Sequence, residues 1–347
     1  MIKKIDFSKN VATLCKEYPE LVDILVELGF KPLKNPVLRN LIGKQVTIPQ
    51  ASAKMGVEMD RILFALAENG FAVSGDTTVS DQNESENESR TQTRGESGHV
   101  FLARMGKTKL RPGGVKATNW LLEQAHITPD TKILEVACNM GTTLIQIAEK
   151  YGCYLTGVDL SADALGNAKK NVSEHHLEDK ITLVQGNAFN LPFEDGSFDI
   201  VINEAMLTML KGEEKDKAIA EYYRVLKPGG ILLTQDVCLR TEDIQEQKEI
   251  RAGISRAINV DVEPLTSENW EKKFENTGFE VMKMEGPMTL LDPDGMHVDE
   301  GSEKTLEIMS NAMKEENAEF FIRMFNFFRL NAEKVRSIAI ASTKKCN

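Results

Sequence analysis

Paired cysteines are missing from this chain. The five present, Cys15, Cys138, Cys153, Cys238 and Cys346, are scattered and odd in number, and no Cys-x-x-Cys occurs. That spacing offers neither a disulfide framework nor a zinc knuckle, so no metal site is expected. No run reaches the ~18 apolar residues of a membrane span. The opening residues Met1–Phe7 meet Asn10 before an apolar core can form, which argues against a signal peptide. A basic excess is also lacking: 42 Lys and Arg stand against 53 Asp and Glu, a net charge of −11. Nucleic-acid binders usually carry a basic surface, so nucleic acid is not an expected partner, and without an apolar span neither is a membrane. These absences together point to a soluble, reduced, cytoplasmic protein.

Aromatics and large aliphatics vanish in one place. Between Val73 and His99 only Val73 and Val79 interrupt a run of Ser, Thr, Asn, Gln, Gly and charges. Such a segment buries too little apolar surface to offset ordering entropy, and reads as a flexible linker. It divides the 347 residues into 1–72, 73–99 and 100–347.

Residues 1–72 predict a small all-α bundle. Leu21, Leu25 and Leu28 share one helix face, between Pro19 and Gly29. Asn35-Pro36 opens another helix, Thr47-Ile48-Pro49-Gln50 has capping-box spacing, and Gly56 marks a stop. Tyr18-Pro19-Glu20-Leu21, Leu28-Gly29-Phe30, Asn35-Pro36-Val37-Leu38-Arg39 and Met55-Gly56-Val57 resemble a family of small helical domains of unknown function. The cysteine pair that some members carry after Gly-Phe is replaced by Lys31-Pro32-Leu33-Lys34. A docking module for a protein partner or a second subunit is the expectation here.

Residues 100–347 alternate strands and helices, the pattern of a parallel sheet covered on both faces. Lys132–Val136, Tyr154–Asp159, Ile181–Gln185, Phe198–Asn203 and Ile231–Asp236 read as strands, with Phe279–Met284 and Ser337–Thr343 later. The first ends in Glu135-Val136-Ala137-Cys138-Asn139-Met140-Gly141 before a helix. A dinucleotide site needs Gly-x-Gly-x-x-Gly, and the three positions hold Ala137, Asn139 and Thr142. An acid ahead of a small-residue loop suits a ligand with an amino-acid end instead. Glu135 would meet its ammonium, and the helix N–H groups its carboxylate. Asp159 ends the next strand, where an acid accepts ribose hydroxyls. Asn187 follows the third strand and can pair with an adenine edge.

In this order, with Leu191-Pro192-Phe193, Ser197-Phe198-Asp199 and Leu226-Lys227-Pro228-Gly229-Gly230 downstream, residues 105–343 resemble class I S-adenosylmethionine-dependent methyltransferases. The likeness is to the small-molecule branch that includes ubiquinone and menaquinone methyltransferases. It implies a Rossmann-like α/β fold with a seven-stranded sheet whose last strand is antiparallel. It implies S-adenosylmethionine as cofactor, with Glu135, Ala137, Cys138, Asn139 and Gly141 at the methionine end. Asp159 and Leu160 would hold the ribose, Asn187 and Ala188 would frame the adenine, and Asn203 would lie under the methyl. Leu110-Arg111-Pro112-Gly113-Gly114 corresponds to a segment that closes over the cofactor in related enzymes, and also reads as a plain turn.

Glu204, Asp236 and His297 are the candidate bases, the first two at neighbouring strand ends facing the acceptor; each also reads as a structural side chain. The stretch from Gly286 to Lys334 is long for a strand connection, and Phe320, Phe321, Met324, Phe325, Phe327 and Phe328 cluster in one helix of it. Most should be core, the rest a wall for an apolar acceptor. A small, partly apolar molecule is the expected methyl acceptor. Two other readings remain: a thiol- or metalloid-methylating enzyme in which Cys138 and Cys238 converge, and a non-catalytic S-adenosylmethionine sensor.

Overall fold

The computed structural model describes residues 2–75, 77 and 95–346. In chain order its elements are β1 (Lys3–Asp6), α1 (Val11–Glu17), α2 (Leu21–Glu27), a 3-10 turn (Lys31–Lys34), α3 (Pro36–Ile42), α4 (Ile48–Met55), α5 (Met59–Glu68), β2 (Phe71–Ser74) and α6 (Gly98–Arg104). There follow α7 (Gly114–Glu123), β3 (Lys132–Val136), α8 (Thr142–Tyr151), β4 (Tyr154–Asp159), α9 (Ala162–Glu174), β5 (Ile181–Gln185), β6 (Phe198–Glu204), α10 (Glu213–Val225) and β7 (Leu226–Leu239). The last are α11 (Ile244–Ile258), β8 (Leu265–Thr266), α12 (Ser267–Thr277), β9 (Phe279–Gly286), α13 (Pro293–Glu300), α14 (Ser302–Ala312), α15 (Glu315–Leu330) and β10 (Val335–Lys344).

Two compact units result. One takes Met1–Lys107, Ala257–Asn259 and Glu300–Leu330; the other takes Thr108–Arg256, Val260–Asp299 and Asn331–Asn347. This differs from a division at 1–72 and 100–347, because α14 and α15 belong with the N-terminal helices.

The first unit is helical, as its apolar spacing requires, but it is not all-α. β1 and β2 pair in parallel, Lys3 beside Phe71 through Asp6 beside Ser74. Val73, the expected start of the linker, is therefore a buried strand residue, and most of that linker (76 and 78–94) lies outside the described residues. The Thr47 hydroxyl and the Gln50 side chain form the expected capping box, and Gly56 ends α4 in the left-handed conformation. The Val73 N–H donates to Met313 O at 2.9 Å, joining β2 to the end of α14. On α15, Phe325 packs on Phe64 of α5 (centroids 5.6 Å apart) and Phe320 packs on Phe101 of α6 (4.8 Å). The aromatic helix thus fills the core of this unit, and the four residues Phe320, Phe321, Met324 and Phe325 are not an acceptor wall.

The second unit is a sheet in the order β5-β4-β3-β6-β7-β10-β9, with the short β8 beside β7. β3 to β7 run parallel, and β10 is antiparallel to both β7 and β9. Strand alternation sends side chains to two cores. Leu134, Val136, Val201 and Leu232 join Tyr222, Trp270 and Phe274 on one face; Ile133, Ile202 and Leu233 join Leu121, Leu144 and Ile147 on the other. The chain reverses its lateral direction at β3, so the carboxyl ends of β3, β4 and β6 flank a crevice of the kind where α/β sheets bind ligands.

Candidate active site

The loop after β3 has a conformation that glycine normally supplies. Ala137, Asn139 and Gly141 have φ of 60°, 46° and 73°. A left-handed L-residue costs about 1–2 kcal/mol, so the loop keeps its path despite two non-glycine side chains. It lies tightly on β4. A Cβ at Gly157 would fall 2.8 Å from Cys138 Sγ and 2.5 Å from Leu144 Cδ1.

Asp159, at the end of β4, ties this loop down. Its Oδ2 accepts from the Asn139 N–H and its Oδ1 from the Ser161 N–H, both at 2.9 Å. Each oxygen keeps a lone pair, and the half-buried side chain remains open to solvent. Leu160 beside it is exposed, an apolar shelf next to an acid. Across the β5 end, Asn187 is exposed and its Oδ1 accepts from Phe189 N–H at 2.9 Å, while Ala188 is buried beneath. Glu135 is buried under the first turn of α8, and its Oε2 has no hydrogen-bond partner among the described residues. Burial, then the Glu204 carboxylate, push its pKa well above the usual carboxylate range; Arg111, Thr143 and the Leu144 N–H pull it down.

These residues fit S-adenosylmethionine. A buried carboxylate oxygen lacks the donor that an ammonium would provide, the first turn of α8 lies beside it, and an acid with spare lone pairs ends the next strand. Glu135, Ala137, Cys138, Asn139, Gly141, Asp159, Leu160, Asn187 and Ala188 all lie at the carboxyl ends of β3, β4 and β5 or on the loops that follow them. Asn203 does not join them. It is fully buried on the α10 face, its amide 3.4 Å from Val136 O and from the Tyr222 hydroxyl.

The candidate bases are not brought together. Glu204 points to the α7–α8 face, where the Thr118 hydroxyl donates to Oε1 (2.8 Å), the Thr143 hydroxyl to Oε2 (2.7 Å) and the Gln235 amide to Oε1 (3.2 Å). Arg111 Nη1 lies 3.6 Å from Oε1 and donates to Thr118 at 2.7 Å. Gln235 in turn accepts from the Gly113 N–H at 2.7 Å. Through these contacts Glu204 anchors the Arg111-Pro112-Gly113-Gly114 segment to β6 and β7. Gly114 there has φ +60°, and a Cβ would overlap the Asp299 carboxylate at 2.5 Å. Asp236 points to the opposite face. It is fully buried and accepts from the Thr208 N–H at 3.0 Å, and burial raises its pKa. His297 lies half-buried on α13, in the segment whose Thr289 N–H donates to Pro112 O at 2.8 Å. Nor do the thiols converge. Cys138 belongs to one core and Cys238 to the other; burial raises the first well above the thiol range and pushes the second up to about 12. The network around Glu204 escapes sequence reasoning because Arg111, Thr118, Thr143 and Gln235 come from four separate segments.

Comparison with known proteins agrees with this geometry. A methyltransferase-domain family matches residues 133–230, and a domain of unknown function (DUF1858) matches residues 5–63. An uncharacterized protein of Haemophilus influenzae is 54% identical over 250 residues, covering 72% of this chain and 98% of its own. The demethylmenaquinone methyltransferase of Lactiplantibacillus plantarum is 35% identical over 122 residues, 35% of this chain and 49% of that enzyme. The match to this named enzyme thus spans about half its length. The solved phosphoethanolamine N-methyltransferase 2 of Haemonchus contortus, in complex with S-adenosyl-L-methionine, shares the fold with a TM-score of 0.54 at 22% identity, over 72% of this chain and 57% of that one. With the strand order, the loop after β3 and the family match in agreement, residues 133–230 belong to a methyltransferase-domain family within a class I methyltransferase fold, and residues 5–63 to a domain of unknown function.

Proposed function

We propose that the protein transfers a methyl group from S-adenosylmethionine to a small, partly apolar acceptor. The observation that carries the cofactor reading is the pair of acids at the β3 and β4 ends. One is buried with an unpartnered oxygen; the other holds the loop between them. When bound, the cofactor supplies an activated methyl on sulfur, so the chain need only align the acceptor and exclude water. Glu135 would hold the ammonium, Asp159 the ribose, and Leu160 with Asn187 and Ala188 the adenine. Arg111–Gly114, pinned through Gln235 and Glu204, is placed as a fixed wall, and the Thr289–Asp299 stretch packs on it.

Acceptor class rests on two points. One named relative is a demethylmenaquinone methyltransferase. The chain's charge of −11 disfavours polyanions at long range. The buried thiols on opposite faces give no support to thiol or metalloid chemistry. A cytoplasmic setting accords with unpaired cysteines, and no helix among the described residues is long and apolar enough to cross a membrane.

The test is a turnover screen. The full chain is incubated with methyl-labelled S-adenosylmethionine and a panel of hydroxyquinones, phenols and small amines. Label in a small apolar acceptor with stoichiometric S-adenosylhomocysteine supports the reading. Tight cofactor binding without turnover in cell extract would favour a sensor. Label in RNA or DNA would overturn the small-molecule assignment.

A further inference from the structure

Helix α3 in the N-terminal unit is turned inside out. An amphipathic surface helix normally buries its apolar stripe. On α3, Val37, Leu38, Leu41 and Ile42 fall on one arc and are 73%, 38%, 63% and 48% exposed, and no residue of the helix is buried. The helix is held by its ends instead. Asn35 caps the N-terminus, accepting from the Val37 N–H at 2.9 Å. At the other end Gly43 O accepts from the Ala12 N–H at 3.0 Å, and a Cβ on Gly43 would lie 3.1 Å from that nitrogen. The flanking Phe30, Leu33, Val46 and Ile48 are buried. On the polar side, Arg39 Nη1 donates to Leu33 O at 3.1 Å. The fold therefore fixes this helix with its aliphatic face outward.

Charge singles out the same place. Residues 28–57 contain Lys31, Lys34, Arg39, Lys44 and Lys54 and no acid, in a chain of net charge −11. Lys31, Lys34 and Lys44, on the turns either side of α3, are exposed and form no ion pair among the described residues.

We infer that the exposed face of α3, with its lysine rim, docks on an anionic lipid surface. Aliphatic side chains enter the acyl boundary while long lysine stems reach back to the headgroups. The composition separates this occupant from others. Protein interfaces are enriched in aromatics, Met and Arg and depleted in Lys, and here the aliphatics are flanked along the chain by exposed lysines. A second copy of the chain would bring an identical basic rim against the first. Single-stranded nucleic acid stacks on aromatics, and the patch offers none. The inference stands apart from the methyl-transfer reading. It also reaches further than the absence of a membrane span, which bears on crossing and not on docking.

The experiment is co-sedimentation of the full chain with vesicles of phosphatidylcholine, with and without phosphatidylglycerol. The chain should pellet with the anionic vesicles only, and high salt should release it. Replacing Lys31, Lys34 and Lys44 by Gln together should weaken partitioning by about a hundredfold, at roughly fivefold per charge. Leu41→Glu should abolish it with an unchanged melting temperature; if that variant melts early, Val37→Ser probes the same face. The proposal is overturned if the wild-type chain stays in the supernatant, if neutral vesicles bind it equally, or if neither variant alters partitioning. A concentration-dependent dimer lost in Leu41→Glu, without vesicle binding, would assign the face to self-association and overturn it too.

Discussion

Glu135 bears the tension between stability and ligand binding. Its pKa is raised in the folded state, chiefly by burial and then by Glu204. A carboxyl of this kind binds more protons folded than unfolded, so stability falls as pH rises from the ordinary Glu value to the raised one. Glu135→Gln should remove that dependence and stabilise the ligand-free protein above the window, as read by thermal melts across pH. The same change should weaken S-adenosylmethionine by about 10–100-fold, since a charge-assisted hydrogen bond is lost. A melt whose pH dependence is unchanged in the variant would show that Glu135 titrates alike in the folded and unfolded chain. Glu204 makes the opposite case. If it anchors Arg111–Gly114, Glu204→Gln keeps an oxygen to accept from the Thr118 hydroxyl while its new amide N–H can donate to the Thr143 hydroxyl, and should keep kcat/KM within about tenfold. Loss of general base catalysis would cost about 100-fold or more. A drop of that size with an unchanged melting temperature would restore Glu204 as the base. The acids at the strand ends were legible from sequence because each follows a β-rich run directly. The role of Glu204 was not, since its partners Arg111 and Gln235 are 93 and 31 residues away along the chain.

Elements show the same contrast. The parallel strands β3, β4 and β5 have the bounds their β-rich runs suggest; in β3 and β4 burial on both faces strengthens the apolar signal, whereas β5 is a half-exposed edge strand. β1 and β2 have four residues each and pair across the whole N-terminal unit, too short and too distant for periodicity to reveal. α15 is core, as most of its aromatics predict, but its partners were not legible. Its aromatic stripe reads equally well against a sheet, a pocket or another helix, and only the fold selects α5, α6 and β2. The stacked Phe321–Phe325 pair, with ring planes 7° apart, sits in that contact. Phe325→Ala should therefore destabilise by about 3–5 kcal/mol, the usual loss for a buried Phe. Chemical unfolding measures it. A loss under about 1 kcal/mol would mean that α15 is not part of the packed unit.

At the scale of the molecule, the chain between β9 and β10 contributes to both compact units. Pro293–Asp299 belongs with the sheet, while Glu300–Leu330 belongs with the N-terminal helices. A cut at 72 or 100 thus misses the physical division. A chain shortened to 100–347 would leave Phe325 without Phe64 of α5, so it should melt earlier than the full protein. Scanning calorimetry of the two chains reads this difference. The central claim concerns the acids at the β3 and β4 ends, and it is tested most directly by titrating S-adenosylmethionine into the full chain and its Asp159→Ala variant by calorimetry. Asp159 would bind the ribose and also hold the Asn139 N–H, so its removal should weaken affinity by about 10–150-fold, from a charge-assisted bond of about 1.5–3 kcal/mol. Glu178→Ala, at an exposed position, should leave affinity unchanged. Equal affinity in the wild-type and Asp159→Ala proteins, or no binding by the wild type, would contradict the account.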